Sequence, residues 1–129
     1  MNKKGFTLIE LLAVIVILAI IALIVTPIVS NIIASARNSA NARSVEGHVD
    51  NIEYAIISAA FNEGKDIGYM DGTNVSITGL TLPANDTITC TSYNISNGIV
   101  SEATGCTNAT AGWAKTYNYT STGGAVSSN

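Results

Sequence analysis

Polar positions are almost missing near the start of the chain. In the run FTLIELLAVIVILAIIALIV, Phe6 to Val25, only Thr7 and Glu10 are polar. A helix of that length rises about 30 Å, the thickness of a bilayer's hydrocarbon core, so the run predicts a membrane-spanning helix. Apolar positions then resume at helical spacing: Ile28, Ile32 and Ala36, followed by Val45, Val49, Ile52, Ile56 and Ala60. Recurrence every three or four residues marks an amphipathic helix. Arg43, Glu46, Asp50 and Glu53 take the opposite face, and His48, beside Gly47, is placed with them as a solvated residue. The pattern predicts one long helix from Phe6 to about Phe61. A kink or local loosening is expected at Pro27, where proline removes one backbone bond and crowds the carbonyl four residues earlier. Asn62-Glu63-Gly64 reads as the helix stop.

From Lys65 the period changes. Lys65 to Asn74 reads as a loop. Val75-Ser76-Ile77 with Leu80 and Leu82, Thr87 to Ile95, Ile99 to Ala103, and Trp113 to Tyr119 show the short alternation of half-buried strands. Asn97-Gly98 is a strong two-residue hairpin signal. The expected fold is α+β, with a long N-terminal helix whose C-terminal half packs through Val45, Val49, Ile52 and Ile56 on a small antiparallel sheet of three to four strands. The division expected is residues 1–5 as a leader, 6–29 as an apolar membrane and assembly segment, and 30–129 as a globular head.

Composition narrows the function. The chain has 129 residues, 47% hydrophobic but only 12% charged, and its net charge is −3. Six basic residues cannot build a groove that tracks phosphates, so no nucleic-acid partner is expected. One histidine and two cysteines do not supply a common zinc site, and no cofactor or metal is expected. Asp66, Asp71 and Glu63 match no calcium-loop spacing and read as a solvated acidic loop. No nucleophile, base and orienting group can be assembled around the single His48, so the chain is not expected to be an enzyme. Asn74, Asn85, Asn94, Asn108 and Asn118 each open an Asn-x-Ser/Thr triplet, as a composition rich in these residues produces by itself.

Lys3 and Lys4 precede the apolar run, which keeps them cytoplasmic and exports the rest. Cys90 and Cys106 therefore lie in an exported domain, where an even cysteine count favours a disulfide over two buried free thiols. If Asn97-Gly98 forms a two-residue turn, Cys90 faces Gly105, and Cys106 is one position out of register. A bulge would correct this.

Glu10 is the anomaly of the apolar run. A carboxylate in a lipid-facing helix costs roughly 2.5–3.5 kcal/mol or more, so it calls for a partner. Lys3 and Lys4 lie upstream; a partner in another chain, such as a new α-amino group made by cutting before Phe6, is the better account. An uncut signal anchor and a secretory signal cut near Ala34-Ser35-Ala36 are the alternatives.

Lys3-Lys4-Gly5-Phe6-Thr7-Leu8-Ile9-Glu10, followed by the long apolar run, resembles the prepilin leader of bacterial type IV pilins, residue for residue over KGFTLIELL. The resemblance implies cleavage after Gly5 by a membrane-embedded prepilin peptidase and N-methylation of the new terminus at Phe6. It also implies that the apolar segment, with Phe6, Glu10 and Pro27, becomes the assembly surface of a homo-oligomeric helical filament. An assembly ATPase and a platform membrane protein are the further partners implied. The precursor would sit in the cytoplasmic membrane as a single-pass protein, and the filament outside the cell, serving adhesion, surface motility or biofilm formation. Pseudopilins of type II secretion and competence systems share this leader and are the alternative within the class. An uncut membrane-anchored binding module is the alternative outside it.

Overall fold

The computed structural model describes residues 7–127. The expected α+β architecture is present: one long helix, α1 (Leu8–Glu63), followed by five strands. The helix is assigned without a break through Pro27. Proline leaves the carbonyl of Leu23 without its usual donor. On either side the hydroxyls turn back onto the helix: Thr26 Oγ1 donates to the carbonyl of Ala22 at 2.6 Å, and Ser30 Oγ to that of Thr26 at 3.1 Å. At its other end α1 closes as anticipated. Gly64 takes φ 68°, and the N–H of Lys65 reaches back to the carbonyl of Ala60 at 2.9 Å. This is the glycine-terminated Schellman arrangement, which satisfies carbonyls that the helix leaves open.

The chain divides into two compact units, residues 1–37 and 38–129. In the first, every described residue is exposed. The second is the head, with the core of the protein. Its strands are β1 (Gly72–Val75), β2 (Ser92–Ser96), β3 (Ile99–Cys106), β4 (Tyr117–Thr120) and β5 (Gly124–Ser127). They form an antiparallel meander in the order β1-β2-β3-β4-β5. Val45, Val49, Ile52 and Ile56 on α1 share one core with Tyr93, Ile95, Val100, Ala103, Cys106 and Tyr117 from the sheet.

The sheet therefore has five strands, not three to four, and the strand limits shift. The first strand precedes Ser76, because Asp71 and Asn94 supply the hydrogen bonds that pin residues 72–75 and the turn beside them. Residues 76–82 are irregular, and Thr87 to Thr91 run beside β3 without forming a strand, joined to it by the Thr89–Thr107 bridge and by the bond from Thr91 N–H to the carbonyl of Thr104. The fifth strand carries GAVS, too short and too polar an alternation to be read from sequence.

Register follows from one extra residue. Ser96 faces Ile99 and Ile95 faces Val100, but Asn94 faces Glu102, so Ser101 is a β-bulge. Its polar groups are used: Oγ donates to the carbonyl of Asn94, and its own carbonyl accepts from the N–H of Ser121. Beyond the bulge Thr89 faces Thr107, which places Cys90 opposite Cys106. The bulge anticipated from the cysteine spacing is thus real, and the two cysteines form a disulfide with S–S 2.01 Å.

Candidate functional site

The described residues hold two candidates: the start of α1 and a polar cluster inside the head.

At the start of α1, Thr7 and Glu10 cap the helix reciprocally. The N–H of Thr7 donates to Glu10 Oε2 at 3.1 Å, and the N–H of Glu10 donates to Thr7 Oγ1 at 3.2 Å. This is the Thr-x-x-Glu capping box, which satisfies two of the donors that a helix N-terminus leaves open. It was readable in the sequence as Thr7-Leu8-Ile9-Glu10 and is a second reason for a carboxylate at this position. Gly5 and Phe6, the expected processing residues, lie outside the described residues. Downstream of the cap, Leu8 to Ile33 presents apolar side chains on all sides, for example Leu12, Val16, Ile20, Ile24, Ile28 and Ile32, each exposed. Pro27 lies within this stretch, which is long and apolar enough to cross a membrane. Fully burying a side chain such as Leu or Ile is worth roughly 1.5–3 kcal/mol, so a surface of this extent calls for lipid or protein around it.

In the head, the expectation of a solvated His48 is overturned: the residue is 1% exposed. It lies three residues after Val45 and four before Ile52, hence on the buried face, and that spacing was the signal for its burial. Both oxygens of Asp86 lie 2.8 Å from His48 Nδ1. A carboxylate can only accept, so Nδ1 carries the proton, and in the neutral ring Nε2 accepts from the hydroxyl of Tyr93 at 2.8 Å. Asn51 Nδ2 and the N–H of Ile88 also donate to Asp86. Burial works against the charged form of Asp86, but the hydrogen bonds from Asn51, His48 and Ile88 outweigh it and hold the carboxyl below the ordinary range. Burial pushes the Tyr93 hydroxyl up to about 12, so it keeps the proton that it donates to His48 Nε2. The cluster ties α1 to the irregular segment before β2; a buried polar group is tolerated when its bonds are complete, as they are here.

Asp86 lines two clefts, one of about 410 Å³ with Asn74, Ile77, Leu82, Ile88 and Tyr93, and one of about 300 Å³ with Ser44, His48, Asn51 and Asn85. Among the described residues no group of His, Cys, Asp and Glu is placed to hold a metal ion. The acidic residues of the loop are occupied separately: Glu63 pairs with Lys65, Asp66 accepts from the N–H of Gly68, and Asp71 accepts from the N–H groups of Asn97 and Gly98. Of the Asn-x-Ser/Thr asparagines, Asn94, Asn108 and Asn118 use their side chains inside the fold, whereas Asn74 and Asn85 are exposed.

Comparison with known families agrees with the leader. Residues 1–26 match the family described as the prokaryotic N-terminal methylation motif, the signature of the type IV prepilin leader. Comparisons with curated proteins and with solved structures gave no match. The leader signature ahead of an apolar helix, with the α+β head and its Cys90–Cys106 disulfide behind it, supports a protein of type IV pilin or pseudopilin type. Such a leader on an apolar helix is that of a membrane-anchored precursor processed by a prepilin peptidase.

Proposed function

We propose that this chain is the structural subunit of an extracellular type IV pilus. The observation that carries the reading is the unpartnered apolar surface of residues 8–33 placed directly behind a prepilin leader. In the precursor, lipid covers that surface. Cutting after Gly5 frees Phe6 as a new amino terminus, and subunits then bundle their apolar helices in place of lipid, with the heads outside. Neighbours related by a screw operation form an open fibre, not a closed ring. The mature chain would carry four basic and nine acidic residues, net −5, which disfavours nucleic acid as a partner of the bare shaft.

Glu10 has a role in this scheme beyond its cap. The capping box satisfies backbone donors but brings no cation to the carboxylate. The amino terminus of Phe6 on an incoming chain is the cation proposed to meet Glu10 of a docked one, which sets the axial step. The test is the terminus and the assembly of the exported protein. Mass spectrometry of protein sheared from cells should find N-methylated Phe6 as the first residue and this chain as the main component of long filaments. Recovery of Met1 would establish the uncut anchor instead. A methylated chain found only in the envelope would establish the pseudopilin.

A further inference from the structure

The hairpin between β2 and β3 turns through Asn97 and Gly98, with φ 53° and 75°. Positive φ at both central residues defines a type I′ turn, which favours Asn-Gly. The same pair is the one in which asparagine most readily attacks itself, because glycine leaves the following backbone nitrogen unshielded. Here that nitrogen is covered. Asn97 is exposed, but Gly98 is buried, and a Cβ on Gly98 would fall 2.7 Å from Ile67 Cγ1. The carboxylate of Asp71 accepts both turn amides, from Asn97 N at 2.8 Å and from Gly98 N at 3.1 Å. The loop that carries Asp71 is itself held by bonds from Gly68 N to Asp66 Oδ1, Tyr69 N to the carbonyl of Asp66, and Asp71 N to the carbonyl of Gly68.

We propose that Asn97 is a latent self-modification site held closed by Asp71. In the reaction Gly98 N bonds to Asn97 Cγ, the Cγ–Nδ2 bond breaks, and Nδ2 leaves as ammonia with the hydrogen that Gly98 N gives up. Water then opens the succinimide at either carbonyl and leaves aspartate or isoaspartate at position 97. One water is consumed, one ammonia is released, and nothing is oxidised or reduced. Asp71 opposes the first step in two ways. It engages the hydrogen that Gly98 N must lose, yet a carboxylate is far too weak a base to take a proton from an amide nitrogen. Its negative charge also opposes the build-up of negative charge on that nitrogen. The glycine cannot simply be replaced, since its missing side chain is what admits Ile67 and allows the turn. Once formed, the new carboxylate stands beside Asp71, and isoaspartate adds a methylene to a turn with room for two residues. Each event therefore loosens the clasp that delayed it, and the change is irreversible.

The test incubates the full chain in detergent at mildly alkaline pH and follows residue 97 by peptide mass mapping, scoring the gain of one mass unit and the isoaspartate isomer. Wild type, Asp71→Ala, Asp71→Asn and a free peptide of residues 94–101 are compared. The folded wild type should lag the peptide, and Asp71→Ala should convert about ten- to a hundredfold faster than wild type, the factor expected for a hydrogen bond to a charged group. Asp71→Asn keeps an acceptor without the charge and should fall between them; it decides the matter if thermal melting shows that the alanine variant has lost its fold. Equal rates in wild type and both variants would overturn the proposal, as would a faster wild type, which would make Asp71 a base.

Discussion

Residues 8–33 and residues 45–60 belong to the same helix and obey different rules. In the first stretch apolar side chains surround the axis and all are exposed; in the second Val45, Val49, Ile52 and Ile56 form one stripe and are fully buried. The second is a helix built for water on one side and a sheet on the other. The first has no polar face and no partner among the described residues, so its stability as a surface must come from outside. Small residues of the intervening stretch, Ser35, Ala36, Ser39 and Ala40, separate the two. The lesson is that a hydrophobic residue's cost of replacement depends on which solvent its helix was written for.

The largest effect should come from separating the leader from the rest. Gly5→Leu should leave the whole population uncut and without filaments, read as a precursor mass that retains Met1; normal trimming of this variant would refute peptidase action at Gly5. Next is Glu10→Ala. Its chain should insert, be cut and fold its head, yet enter filaments poorly, counted by electron microscopy of sheared material. Normal filament numbers would reduce Glu10 to the local cap.

Two paired substitutions then sharpen the contrast between the halves of α1. Ile52→Ala should destabilise the head by roughly 2–5 kcal/mol through a lost core contact and a cavity, whereas Ile17→Ala should change head unfolding by less than about 0.5 kcal/mol. Denaturant melts followed by Trp113 fluorescence measure both. A comparable loss from Ile17→Ala would mean that the apolar half also supports the head. Cys90→Ser should lower head stability by about 3 kcal/mol in the chain-entropy view of closing a loop of this length. Unchanged denaturation of the chain on reduction would argue against that contribution.

The smallest effect is a pH limb. The folded pKa of Asp86 is lowered, so its contribution is fully present above the ordinary aspartate value of about 3.9 and is lost as pH falls through the folded value. Thermal midpoints of the wild type should therefore drop below about pH 4 more steeply than those of Asp86→Asn, which lacks this titration. Parallel curves would show that other carboxylates carry the acid response.

Much of this was legible because helical periodicity is a long signal. Val45 to Ala60 repeats often enough for α1 and its buried face to be read directly, and the leader is a contiguous string. His48 was misplaced because its polar identity was weighed above its position, three residues from Val45 and four from Ile52. Its partners, Asp86 and Tyr93, are 38 and 45 residues away along the chain, and no local pattern joins them. The strands were less legible for a physical reason. Buried positions in β3 fall at Val100, Ala103 and Cys106, three apart, because bulges break the alternation by which strands are recognised. The expected processing residues Gly5 and Phe6, outside the described residues, rest on the motif alone.

Ser101 also makes the hairpin sensitive to length in a way that point substitution does not test. As the single supernumerary residue between the turn and Cys106, it works as a phase corrector. Deleting one residue between Ile99 and Gly105 while the bulge is kept would bring Cys106 opposite Thr91 and Thr107 opposite Cys90; only loss of the bulge along with that residue would return Cys106 to Cys90. Adding two residues as a pair across β2 and β3 would lengthen the hairpin and preserve the phase. Homologous heads that keep this cysteine pair should therefore vary in hairpin length by matched increments on the two arms, or lose the bulge together with one residue of the β3 arm; any other odd change on one arm should travel with loss of both cysteines.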